Sequence, residues 1–395
     1  MILRDVLVPQ SLAGDGLGGD ATGDCLRGDL HVRDGRVTRM TPSAQTPRPR
    51  MVVPKLVEAH CHLDKCHSFH RLGPVGGDLR KAIETQAADR DNWTEDDLRA
   101  RAGQGLQEAA MAGCSALRTH IDWRDTASPP RAWSVVTELA QGMAGMTVQC
   151  AALMGVDQMA DATFCNAVAR GIAPTGGVLG AFVLDHADRT AGLRNMFDAA
   201  ARHGLPLDFH ADEGLGDFDG VEAIADMAIE TDFAGPILCG HACGLMDKDT
   251  ATLARVIDKL ARAGIAVCAL PTTNLYLQGR AHGTPDRRGL TRLRELQAGG
   301  VPIVLASDNV ADAFCPVGRH DPMEALHLGV MGAHLDPPFG RWLPAVTTHA
   351  AAALGLRPVL VKGSSPRDLL LSTATTTADL VAGRGSLTPL HEGPT

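Results

Sequence analysis

The chain has 395 residues, of which 45% are hydrophobic, and 37 basic against 46 acidic residues give a net charge of −9. That length accommodates one large domain with an appendage. The basic residues are scattered, which leaves no electrostatic footprint for a nucleic acid, and no apolar run approaches a membrane span. The ten cysteines are dispersed without a C-x-x-C pair, which suits a reducing cytoplasm.

The elements begin with Met1–Pro9, too short and too early-charged for a signal peptide and readable as a strand. Leu30–Val37 alternates around Asp34-Gly35, a hairpin signal. The apolar stretches Met51–Pro54 and Leu56–Val57 lead into Glu58-Ala59-His60-Cys61-His62-Leu63-Asp64. On a strand His60 and His62 share a face, and two neutral imidazoles on one face can bind one transition metal. Cys61 then points the other way, as a packing residue.

Further along, Leu205–Phe209 leads into His210, Pro236–Gly240 into His241, and Val301–Ser307 into Asp308 and Asn309. Helical spacing fills the intervals, over Val221–Ile229 and Leu253–Ala261. Each polar tip taken alone also reads as a core histidine or a helix cap. Four tips in succession on strand-like runs read as a (β/α)8 barrel with its site at the strand C-termini. The barrel is expected over 55–358. Residues 1–54 and 359–395, which include the strand Asp368–Leu371, are expected to form a small domain, with a mobile tail from Thr388.

These segments resemble the amidohydrolase superfamily, and within it bacterial cytosine deaminase and the aminohydrolase of N-isopropylammelide. The likeness is carried by Val57–Lys65, Arg118–Asp122, Phe209–Glu213, Asn274–Arg280, Arg287–Arg292 and Ala306–Val310. It implies that the terminal segments pair as a β-sandwich beside the barrel. It implies that His60, His62, His210 and Asp308 hold one divalent ion, with Zn, Fe and Mn all suited to that donor set. Glu213 would shuttle a proton to a ring nitrogen, His241 would orient the attacking oxygen, and Asp308 would pass a proton to the leaving amine. The expected strand 4, Gly176–Asp185, has no lysine to bridge two metals, which favours one ion.

Two departures bear on the substrate. Asn309 stands where cytosine deaminase has an aspartate, and Gly155 where it has a glutamine that reads the pyrimidine edge. Substrate contacts are expected from Asn309, Phe314 and Gln278, although Phe314 also reads as ordinary loop packing. The expected activity is hydrolytic deamination of a cytosine-like amino-pyrimidine or related heterocycle, with a triazine or other cyclic amidine as the alternative. Asn309 and Gly155 make cytosine a poorer substrate than 5-methylcytosine, isocytosine or an amino-triazine. A barrel that binds without turnover is the competing class, disfavoured by the intact ligand set. The expected partner is a small heterocycle, with no nucleic acid or membrane, in a cytoplasmic homo-oligomer.

Overall fold

Eight parallel strands lie side by side in chain order in the computed structural model, which describes residues 1–73, 75–280, 283–285 and 287–390. They are β1 (Leu56–Cys61), β2 (Cys114–Asp122), β3 (Thr147–Gly155), β4 (Val178–Val183), β5 (Leu207–Ala211), β6 (Ile237–His241), β7 (Ala266–Ala269) and β8 (Ile303–Leu305). Helices fill the crossovers, among them Glu95–Met111, Arg189–His203, Gly220–Glu230 and Thr250–Arg262. The repeated strand, polar tip and helix thus form the expected barrel.

Alternation along the strands separates two layers. In β5, Leu207, Phe209 and Ala211 join the apolar layer under the helices, where Phe209 stacks on Phe197 with ring centroids 6.1 Å apart. Burial of a side chain such as Phe209 contributes roughly 1.5–3 kcal/mol. Asp208 and His210 take the opposite face, into the barrel. β2 does the same, with Leu117 and Ile121 outward and Arg118 and His120 inward. β1 departs from simple alternation. Val57 and Ala59 pack in the barrel floor, yet His60 and His62 also point inward at its mouth. A register shift between Glu58 and Cys61 against β2 makes this possible.

β1 and β8 meet through few bonds. The Asp308 amide donates to the His60 carbonyl at 2.9 Å. The buried Glu58 carboxyl accepts from the amides of Ser307 at 3.1 Å and His60 at 3.3 Å. One side chain therefore fastens the first strand to the last.

The two ends of the chain build a separate seven-stranded sheet. Its order runs Leu387–Pro389, Leu369–Ser372, Arg50–Pro54, Ile2–Pro9, Cys25–Arg33, Asp20–Thr22, with Arg36–Thr41 also paired to Cys25–Arg33. Asp34 and Gly35, with φ of 51° and 73°, form the tight turn of that last hairpin. Leu3, Val6, Leu30, Val52 and Leu369 share a core of their own. Lys55 alone separates the strand ending at Pro54 from β1. Leu387–Pro389 pairs with Leu370–Ser372, so the tail is ordered through Pro389, and residues 391–395 lie outside the described residues.

The seam gives a stability prediction. Glu58→Ala removes the acceptor for two buried amides and should cost about 1–3 kcal/mol in urea unfolding. Glu58→Gln, whose amide oxygen can accept the same bonds, should cost clearly less. Equal stability of Glu58→Ala and the natural chain would show that the seam does not depend on this side chain.

Candidate active site

The strand ends of β5, β6 and β8 carry unusual backbone. Asp212, His241, Ala242 and Asp308 have φ of 50°, 68°, 51° and 63°, a region that residues other than glycine enter at a cost. Such positions persist where the surrounding structure over-determines them, often at functional sites. Here they turn the chain sharply at the barrel mouth, where the polar tips converge.

His62 Nε2 lies 3.1 Å from Asp308 Oδ1 and 3.2 Å from His210 Nε2, and His60 Nε2 lies 3.5 Å from the same carboxylate oxygen. All four residues are buried. Both oxygens of Asp308 and both ring nitrogens of His60 lack a hydrogen-bond partner among the described residues. Buried polar atoms are rarely left so. Imidazoles and a carboxylate that converge without protons to share can hold a divalent transition metal, and the ligand atoms of His60, His62, His120 and His210 form one such group and those of His60, His241 and Asp308 another. Burial holds His62 at about 3 and pushes His210 well below the usual imidazole range, so both are neutral, as ligation requires. Burial works to raise Asp308, but the imidazoles of His60, His62 and His241 beside it outweigh that and hold the carboxylate ionised. The four residues that the sequence singles out as ligands are thus brought together.

Glu213 and His241 stand beside them, with Glu213 Oε2 3.8 Å from His241 Nε2. Burial, reinforced by the Asp308 charge, raises Glu213 to about 8, so near neutrality it carries a proton. Burial lowers His241, which is neutral. Asn274 Nδ2 lies 3.1 Å from His241 Nδ1. With Nδ1 accepting from that amide, the His241 proton sits on Nε2 and faces the site.

The other expected contacts are more dispersed. Asn309 Nδ2 donates to Asp312 Oδ2 at 2.6 Å, which leaves its carbonyl oxygen as the acceptor for a ligand. Gln278 lines an open cleft of about 820 Å³ together with Gly214 and Leu215, and its buried Nε2 has no partner among the described residues. Phe314 is half-buried, with Lys65 Nζ 5.4 Å from its ring centre. Gly155 does not simply leave space. A Cβ there would lie 2.2 Å from Asp157 Oδ1 and 3.3 Å from Phe182 Cε2, so a carboxylate and an aromatic ring occupy the place.

The profile of the Amidohydrolase family matches residues 156–363. A pterin deaminase from Rhizobium rhizogenes is 35% identical over 359 residues, which cover 87% of this chain and 81% of the relative. The chain belongs to the amidohydrolase family. Among solved structures, 5-methylcytosine deaminase from Klebsiella pneumoniae with 5-fluorocytosine superposes with a TM-score of 0.80 at 23% identity, covering 98% of this chain and 94% of that one. N-isopropylammelide isopropylaminohydrolase from Burkholderia multivorans gives 0.73 at 21% identity, covering 98% and 97%. At those identities the likeness is one of fold. Members of the family bind a metal, in agreement with the donor set at the barrel mouth.

In this amidohydrolase several site residues escaped the sequence reading. His120 lies 4.0 Å from His60 between ring centres, and its Nε2 is 3.0 Å from Asp208 Oδ1. Arg118 Nη1 donates to Asp208 Oδ2 at 2.7 Å, and Gln149 Oε1 accepts from Arg118 Nε at 3.0 Å. A polar ladder thus runs down the barrel under the ligands. The R-x-H spacing of Arg118 and His120 repeats the alternation of His60 and His62 and was the available signal. Phe182 had none, because an aromatic on an apolar strand reads as core.

The ligand assignment predicts that His210→Ala loses bound metal and activity together, measured by elemental analysis and ammonia release. A full metal complement with normal turnover in that variant would contradict it.

Proposed function

We propose that this amidohydrolase is a metal-dependent hydrolytic deaminase whose preferred substrate is a fused 2-amino-4-oxo heterocycle of the pterin type. The observation that carries the reading is the ring of Phe182 at the barrel mouth. Phe182 stands in register with His210 on one side and Gly155 on the other, so its side chain shares their inward face. It is 39% exposed, and a side chain at 155 would crowd it. A flat apolar face beside the ligands favours a second fused ring by stacking. The 35% identical relative is a pterin deaminase, and the amidine of a pterin is that of isocytosine, which Asn309 already favoured over cytosine.

The chemistry divides among groups with opposed protonation. His60, His62, His210 and Asp308 would hold a divalent ion, whose chemistry when bound would be to acidify a water for attack. Protonated Glu213 donates to a ring nitrogen and makes the amidine carbon electrophilic. The His241 Nε2 proton stabilises charge on the attacking oxygen. As the C–O bond forms and the exocyclic C–N bond breaks, ionised Asp308 relays one water proton to the amine, which leaves as ammonia, and the remaining hydroxyl proton returns to Glu213 as the carbonyl forms. The Asn309 oxygen and Gln278 Nε2 offer an acceptor and a donor to the ring edge.

Ammonia release from pterin, isocytosine, 5-methylcytosine, cytosine and an amino-triazine tests the reading. Pterin should give the highest kcat/KM. If isocytosine equals it, the second-ring argument fails, and if none releases ammonia, the deaminase reading fails. Phe182→Ala should raise the KM for pterin about two- to tenfold, the worth of one aromatic contact, and leave isocytosine nearly unchanged. Glu213→Gln should keep its metal and lose about two to four orders of magnitude in kcat. Near-normal turnover there would remove Glu213 from the proton pathway.

A further inference from the structure

A second convergence of ligating side chains lies behind β1, outside the barrel mouth. One ligand atom each from Cys66, His67 and His320 lie within 4.8 Å of one another. Glu108 Oε1 is 3.3 Å from His67 Nε2, so a carboxylate borders the group. We propose that Cys66, His67 and His320, with Glu108 as the adjoining carboxylate, form a second divalent metal site of the zinc class, structural rather than catalytic.

His320 is the telling residue. It is fully buried, and neither of its ring nitrogens has a hydrogen-bond partner among the described residues. Glu108 Oε2 and His67 Nε2 are buried and likewise without hydrogen-bond partners. Nothing in ordinary packing rewards a buried imidazole with two idle nitrogens. The chain also makes room for it. Gly105 lies inside the helix Glu95–Met111, where glycine costs about 1 kcal/mol relative to alanine. A Cβ there would lie 2.8 Å from His320 Nε2 and 2.6 Å from Leu63 Cδ2. His67 itself holds a φ of 56°, fixed by its amide donating to the Val310 carbonyl at 3.0 Å.

Thiolate, two imidazoles and a carboxylate make a common zinc set, with ligand bonds of about 2.0–2.3 Å that place ligand atoms about 3.5 Å apart, so the side chains draw in by roughly 1 Å. Glu108 Oε1 also accepts from Gln104 Nε2 at 3.1 Å, which holds the carboxyl against the group. A coordinated divalent ion deprotonates a thiol such as that of Cys66 outright. The partly exposed Glu108 and His67 side chains give an entry path. The ligands come from the loop after β1, the helix Glu95–Met111 and the loop after β8. An ion there would clamp the two loops that present His62 and Asn309. This site raises the count per chain to two, against the single ion expected from the sequence.

Sulfur distinguishes the two sites, because His60, His62, His210 and Asp308 include none. The full chain, loaded with zinc and dialysed, should retain two ions by elemental analysis. Cys66→Ser and His210→Ala should each retain one. Replacement with cobalt(II) should give the near-ultraviolet sulfur-to-cobalt band in the natural chain and in His210→Ala, and lose it in Cys66→Ser. An anomalous map at the zinc edge of the natural chain should show a peak between Cys66 and His320, a readout independent of how any variant folds. One ion confined to the barrel mouth, or a cobalt spectrum without the sulfur band, overturns the proposal. A peak at Cys66 with none at the mouth would instead sink the deaminase reading.

Discussion

Everything chemical in this protein depends on closing a ring between the first and last barrel strands. His60 and His62 enter on β1, and Asp308 sits just past the end of β8. The two meet across a seam made by one backbone bond and the Glu58 carboxyl, instead of a full ladder. A sparse seam leaves the ends of both strands free of pairing demands. That freedom lets Asp308 adopt a left-handed backbone and lets the register of β1 shift so that both histidines face inward.

Closing the ring concentrates ionisable groups where water is scarce, and the arrangement works because each group finds a complement. Arg118 and Asp208 are paired beneath the mouth, with Gln149 and the Leu354 carbonyl taking remaining donors. Removing one partner of such a buried pair typically costs about 3–5 kcal/mol. Above that ladder the balance tips toward unpaired acceptors, which only a cation can satisfy. The gradient from satisfied floor to unsatisfied mouth marks the working end of the barrel.

Much of this was legible in the chain. Ligands at strand ends leave a local signature, an apolar run closed by one polar residue, and His210, His241 and Asp308 each carry it. His60 and His62 were read from their spacing, yet strict alternation from Val57 would have sent His60 outward, and the register shift that prevents this has no mark in the sequence. His120 and Arg118 were harder because they lie within a strand that continues through Ile121. Asn274 lies on the helix Pro271–Leu277, and its partnership with His241 is purely tertiary. Gly155 shows the limit most plainly. The sequence gives the loss of a side chain, and only the fold shows Asp157 and Phe182 moving into its place.

The terminal sheet sets the order in which the protein can be made. Arg50–Pro54 lies between Ile2–Pro9, which leaves the ribosome before it, and Leu369–Ser372, which leaves long after it. The neighbouring β1 likewise waits for β8. During synthesis the histidines of β1 therefore emerge as half of a binding site with no carboxylate to complete it. The residues that converge at the mouth come together only after translation has passed Asp308, about 250 residues after the histidines of β1 have emerged.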